Sequence, residues 1–205
     1  MRRTRKEQKD DTRERVRQAA FELFSRDGVD ATTTKAVAER AGVAAGTVFV
    51  HATDKTDLLC LVVYDLLHDG TERAFATLPR GLDLRASLLH VFGVLARTYV
   101  AHEKLAAPFL TAMPAARGPN GQRVHALTFE FVGRLAALVT DAQARGEVPA
   151  HVPTLLLAQN VFALYFFSLF AWISGFIDAD SIVDNHLRLA LDLQLGALPR
   201  GESAG

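Results

Sequence analysis

The chain has 205 residues, 49% of them hydrophobic, which is enough for one large buried core or two small ones; its single cysteine excludes a disulfide framework. Lys and Arg balance Asp and Glu at 23 each, but unevenly: the first 55 residues carry 12 basic against 9 acidic side chains, and the remainder 11 against 14. The opening MRRTRKEQKDD leads into an amphipathic stretch instead of an apolar run with a small-residue cleavage site, so no signal peptide is expected and a cytoplasmic location follows.

Strand-type alternation is nearly absent and a 3.6-residue apolar period recurs throughout, so the expected fold class is all-α, with about nine helices. Residues 1–10, with Arg2, Arg3, Arg5, Lys6 and Lys9, read as a flexible basic arm of the kind that touches nucleic acid or an anionic surface. Helix one is expected from Asp11, capped by Asp11 and Glu14, with Val16, Ala20, Leu23 and Phe24 on one face and a stop at Gly28. A short helix from the Thr33/Thr34 cap to Ala41, a break at Gly42, and a second short helix from Ala45 to Ala52 follow. A longer helix runs from Lys55 to Ala76, where LPRG ends it. Cys60 falls in its apolar pattern and reads as a plain buried thiol.

Four more helices are expected: Leu82 to His102, Lys104 to Ala112, Gln122 to Arg145 after a PAARGPNG loop, and an apolar one entered at Pro153 and ended at Gly175. An amphipathic helix from Asp180 or Ser181 to Leu198 completes the set, and residues 199–205, ending in GESAG, read as a disordered tail. Residues 148–177 carry no charged side chain. On composition alone such a helix suits a membrane span or a helix buried on two sides. Gln159, Asn160, Ser168 and Ser174 within it, and the lack of a flanking Lys/Arg cluster, favour the second reading.

The most informative stretch is TTTKAVAERAGVAAGTVFVHATDKTDLL, residues 32–59. Two short helices joined by a tight glycine turn make a helix-turn-helix. Val37, Ala38, Ala41, Val43 and Val48 are the positions that must pack the pair together; Ala38 is small where the helices cross, and Gly42 stands where the turn needs positive φ. Lys35, Glu39 and Arg40 fall on the outer face.

From AAFELFSRDG through TDKTDLL, about residues 13–64, the chain resembles the DNA-binding domain of TetR-type transcriptional regulators: LF near a helix end, G, TT, a VAxxAGV turn, GT, an aromatic, H, and K before a Leu-rich helix. The resemblance implies a dimer on a two-half-site operator. By resemblance, Thr47, His51 and Lys55 contact phosphates, Thr34 and Lys35 reach a phosphate or base edge, and Ala45, Gly46 and Val50 face the groove. The methyl groups of Ala45 and Val50 suit a thymine methyl, and none of the three side chains can hydrogen-bond a base. Three positions depart from the family pattern: Phe49 replaces the usual Tyr, Ala44 the usual capping Ser, and Ala52 a large aromatic.

The implied organisation is a reader over residues 11–55 and a ligand-binding and dimerisation domain over 56–198. Family regulators respond to small molecules, and an apolar or aromatic effector is expected, with His102, His125, Phe129, Glu130, Asn160, Tyr165 and Trp172 as candidate contacts. Phe162, Phe166, Phe170, Leu187 and Leu191 are the expected dimer contacts. No GxSxG, HExxH, P-loop, paired ExxH or CxxC motif occurs, so no enzyme, metal or cofactor is expected. The reading is a ligand-responsive repressor released from DNA by its effector. A membrane-associated sensor with a DNA-binding domain, or a helical-bundle enzyme, are the alternatives.

Overall fold

A computed structural model describes residues 4–196, and within them every regular element is helical: α1 Arg5–Asp27, α2 Thr34–Ala41, α3 Ala45–His51, α4 Lys55–Ala76, α5 Leu84–Ala101, α6 Glu103–Ala112, α7 Pro119–Ala144, α8 Thr154–Ile173 and α9 Arg188–Gly196. The expected tail at 199–205 lies outside the described residues, as do Arg2 and Arg3. Contacts divide the chain into two compact units, residues 1–68 with 101–126 and residues 69–100 with 127–205. The expected boundary at residue 55 thus falls inside the first unit, which also holds α6 and the start of α7.

In the first unit, α1 begins at Arg5, earlier than the Asp11 expected, because Thr4 and Glu7 form a reciprocal capping box: the Thr4 hydroxyl accepts from the Glu7 N–H and the Glu7 carboxylate from the Thr4 N–H. Arg5, Lys6 and Lys9 therefore stand on a helix and not on a flexible arm. Val16, Ala20, Leu23 and Phe24 are buried as their spacing predicts. Gly28 ends α1 at φ +87°, and Gly42 ends α2 at φ +65°, in the left-handed region that glycine enters without a Cβ penalty. The Thr33 hydroxyl caps α2 at the Ala36 N–H.

In the second unit, Phe92 is fully buried and stacks on Tyr165 at 4.5 Å between ring centroids; Phe131 meets Phe92, Phe75 and Phe162 edge-on at 6.0 to 6.1 Å. Such offset and edge-to-face pairs add to the area term of burial. By length and composition α8 could cross a membrane, at a mean hydropathy of 1.7, yet it is neither enclosed all round nor bare. Val161, Tyr165, Ser168 and Leu169 are buried, while Leu156, Asn160, Ala163, Phe167 and Phe170 form an exposed stripe at helical spacing. Six residues of π-helix, Ile182–Leu187, lead into α9. Leu187 and Leu191, expected at a dimer interface, are completely buried in their own chain, and Leu189 and Leu193 are the exposed pair instead.

Candidate nucleic-acid interface

Only one side chain of α3, Val48, is buried; with Val37, Ala38 and Ala41 of α2 it makes the apolar seam, while Val43 is half-buried. The rest of the helix faces outward. Ala45 and Gly46 are exposed, Phe49 is 53% exposed and Val50 66%, and Thr47 and His51 are half-buried at the rim. A free-standing seven-residue helix is unstable in water, so its neighbours must hold α3. At its start Ala44 provides no side-chain cap. At its end the buried Ala52 returns its N–H to the Val48 carbonyl at 3.0 Å.

Around this face stand the other positions singled out in the sequence. Thr34 opens α2 and is half-buried. Lys35 is exposed, 3.9 Å from Glu39, a separation at which an exposed pair contributes little and leaves the ammonium usable. Lys55 behaves differently: its ammonium donates to the carbonyls of Val29 (2.9 Å) and Asp30 (2.8 Å), closing the loop after α1. The His51 imidazole is held below its usual pKa of 6.5, first by burial and then by the positive charges of Lys9 and Arg13. It is thus neutral at physiological pH and sits in a field that attracts anions. Lys9 and Arg13 had no assigned role in the motif; their place near His51 follows from the early start of α1.

A second set of residues had no signal in the sequence. Asp57, 1% exposed, accepts four hydrogen bonds: from Thr53 N (3.1 Å), Asn120 N (2.8 Å), Gly121 N (3.0 Å) and Asn120 Nδ2 (3.1 Å). Backbone and amide donors replace its hydration, as a buried carboxylate requires. Below it, the Cys60 thiol is pushed up to about 11 by burial and by Asp57 and Asp54, which makes it inert as a nucleophile.

The effector candidates separate. His102 and His125 belong to the first unit, where His102 meets the Phe21 ring edge-on at 5.7 Å and His125 Nε2 lies 3.2 Å from the Ala116 carbonyl oxygen. In the second unit Tyr165 and Trp172 are buried, but Phe129 is 73% exposed, and Glu130 and Asn160 also face outward. The inward faces of α7 and α8 are carried by Leu127, Phe131 and Leu135 and by Val161 and Tyr165, leaving Phe129, Glu130 and Asn160 on the other side. The Tyr165 hydroxyl is enclosed with no hydrogen-bond partner, and burial raises its pKa well above the ordinary value, with Tyr99 adding to the shift. The second unit also opens a groove of about 440 Å³ between α5 and residues 179–188; His90, Arg97, Asp180, Asp184 and Arg188 make it polar. Among the described residues no three His, Cys, Asp or Glu side chains converge on a metal-sized space.

Residues 16–60 match the amino-terminal domain of the bacterial regulatory proteins of the tetR family. No curated protein matches the chain. Among solved structures it is similar to FadR of Thermus thermophilus, a TetR-family transcriptional repressor in complex with lauroyl-CoA, at 27% identity and a TM-score of 0.72, over 94% of this chain and 98% of that one. A TetR transcriptional regulator from Rhodococcus sp. RHA1 (19% identity, TM-score 0.70, 94% and 100% covered) and the fatty acid degradation regulator FadR from Bacillus halodurans (17%, 0.66, 98% and 100%) share the fold.

Proposed function

Since the chain belongs, through residues 16–60, to the bacterial tetR family of transcriptional regulators, we propose that it is a cytoplasmic repressor that binds a palindromic operator as a homodimer and leaves it when a small apolar effector binds. The observation that carries the DNA-reading part is the outward face of α3. Ala45, Gly46, Phe49 and Val50 are exposed, and Thr34, Lys35, Thr47 and His51 supply polar donors around them. In the major groove that face packs on thymine methyls while the rim donors hold phosphates.

The second copy is the occupant proposed for the stripe of Leu156, Ala163, Phe167 and Phe170 on α8, together with Leu189 and Leu193 on α9. An exposed apolar stripe on two adjacent helices is the surface a helix-bundle dimer uses, and it makes a membrane role unnecessary for α8. For the effector, the support is the aromatic cluster around Phe92 and Phe131 and the enclosed, unpartnered Tyr165 hydroxyl, which suits a ligand that is mostly apolar with one hydrogen-bonding group. The Thermus protein's lauroyl-CoA makes a long-chain acyl thioester the first effector to assay, with the acyl chain, and not the charged coenzyme part, as the group the aromatic cluster would take.

Gel shift against DNA upstream of the protein's own gene tests this function. A shifted band at low salt, weakening linearly in log–log with ionic strength, is expected. No band, or a band indifferent to salt, rejects it. Added lauroyl-CoA is expected to release the DNA.

A further inference from the structure

The start of α7 reaches α3 through one side chain. Asn120, 3% exposed, donates from Nδ2 to the carbonyl of His51 at 2.8 Å and to Asp57 Oδ2 at 3.1 Å, while its Oδ1 accepts from Arg13 Nη2 at 3.2 Å. Its own N–H, with that of Gly121, donates to Asp57 Oδ1. One amide therefore ties α1, α3 and α4 to the first turn of α7.

Each bond answers a local need. His51 is the last residue of α3, where helical carbonyls have no partner further along the chain, and the Asn120 amide supplies one. Asn120 and Gly121 are the second and third residues of α7, after Pro119, so their N–H groups are free donors at the positive end of a long helix, and the Asp57 carboxylate satisfies both. The junction has no slack: a Cβ on Gly118 would lie 2.3 Å from Asp57 Cγ and 2.7 Å from Thr53 Oγ1, and one on Gly121 2.8 Å from Ala116 Cβ.

We infer that Asn120 is a positioning residue for DNA reading: it fixes the carboxy-terminal end of α3, and with it the His51 rim, against a platform made by Asp57 and the first turn of α7. This rests on the proposed DNA-reading role of α3. Because α3 has one buried side chain and no amino-terminal cap, its carboxy-terminal end is where orientation is set. Losing the amide leaves α3 attached but free to tilt, which costs base-edge register more than phosphate attraction.

The test uses the full-length protein, a duplex enriched by the wild type from a random pool, and poly(dI-dC) as the non-specific probe, with affinities read by fluorescence anisotropy and folding by circular dichroism. N120A is expected to lower the ratio of specific to non-specific affinity by about tenfold while leaving the poly(dI-dC) affinity and its salt slope unchanged. A folded N120A with the wild-type ratio overturns the inference, whatever its melting temperature, since a purely structural role lowers stability alone. If N120A melts below the assay temperature, N120S, which also lacks the amide, is read in its place: a lowered ratio is expected, and a folded N120S with the wild-type ratio overturns the inference. A wild type that enriches no sequence overturns the proposed function itself.

Discussion

Helices α3 and α8 both present uncharged apolar surface to the outside, and they differ in what frames it. Around α3 stand Lys35, His51 and, near His51, Lys9 and Arg13; the exposed stripe of α8 lies in a 30-residue stretch, 148–177, without a charged side chain. They differ in anchoring too: α3 buries Val48 alone, while α8 buries eight side chains, including Leu157, Tyr165 and Trp172. Hydrophobicity therefore does not identify the partner. A basic frame around a lightly anchored helix fits a polyanion read by shape, and a bare stripe on a firmly anchored helix fits a copy of itself.

The comparison breaks hardest at Phe167. F167D places a charge on the exposed α8 stripe without entering the core; light scattering should report a monomer, and operator affinity should fall about a hundredfold or more as the second half-site contact is lost. A dimer of unchanged affinity would remove α8 from the interface. A smaller effect is expected at the basic frame: K35A should weaken specific and non-specific DNA alike and lower the salt slope by about 1. Smaller still, A44S gives α3 the cap it lacks and should stabilise the fold by about 1 kcal/mol, read as a raised Tm.

The least effect, and the sharpest in sign, belongs to pH. His51 has its pKa lowered in the free protein, so folding favours the neutral ring: its contribution to stability is complete above the unfolded value of 6.5 and is lost as pH falls below it. A phosphate beside the ring pulls the other way and raises its pKa, so operator binding takes up protons. Affinity should therefore rise a few-fold as pH drops from about 7.5 toward 5.5, and H51Q should flatten both trends.

The local half of this architecture was legible in the sequence. The Lys55 and Ala76 limits of α4, the left-handed glycines 28 and 42, and the seam of Val37, Ala38, Ala41 and Val48 all follow from spacing and from what glycine alone tolerates. T-x-x-E at Thr4 is also present as a capping pattern, but it lies among basic residues whose charge pattern is equally that of a solvated arm. The Asp57–Asn120 contact spans 63 residues and leaves no periodic trace. From the end of the π-helical turn into α9 two apolar pairs, Leu187 with Leu191 and Leu189 with Leu193, have the same spacing, and that turn shifts the register, so period alone does not say which pair faces the core. Phe129, Glu130 and Asn160 have the chemical type of ligand contacts, but chemical type carries no information about which side of a helix faces inward.

A Cβ added at Gly46 would meet nothing within 4 Å, and its neighbour Ala45 is exposed. In the proposed complex these positions face the floor of the groove, and neither has a fixed hydrogen-bonding preference to be undone. A gene copy released from its original target could acquire a new address by replacing one codon there, with Arg to select a guanine or Gln to select an adenine. The scaffold that holds α3 would be untouched, so the same plainness of surface makes the protein a ready starting point for mutually insulated switches.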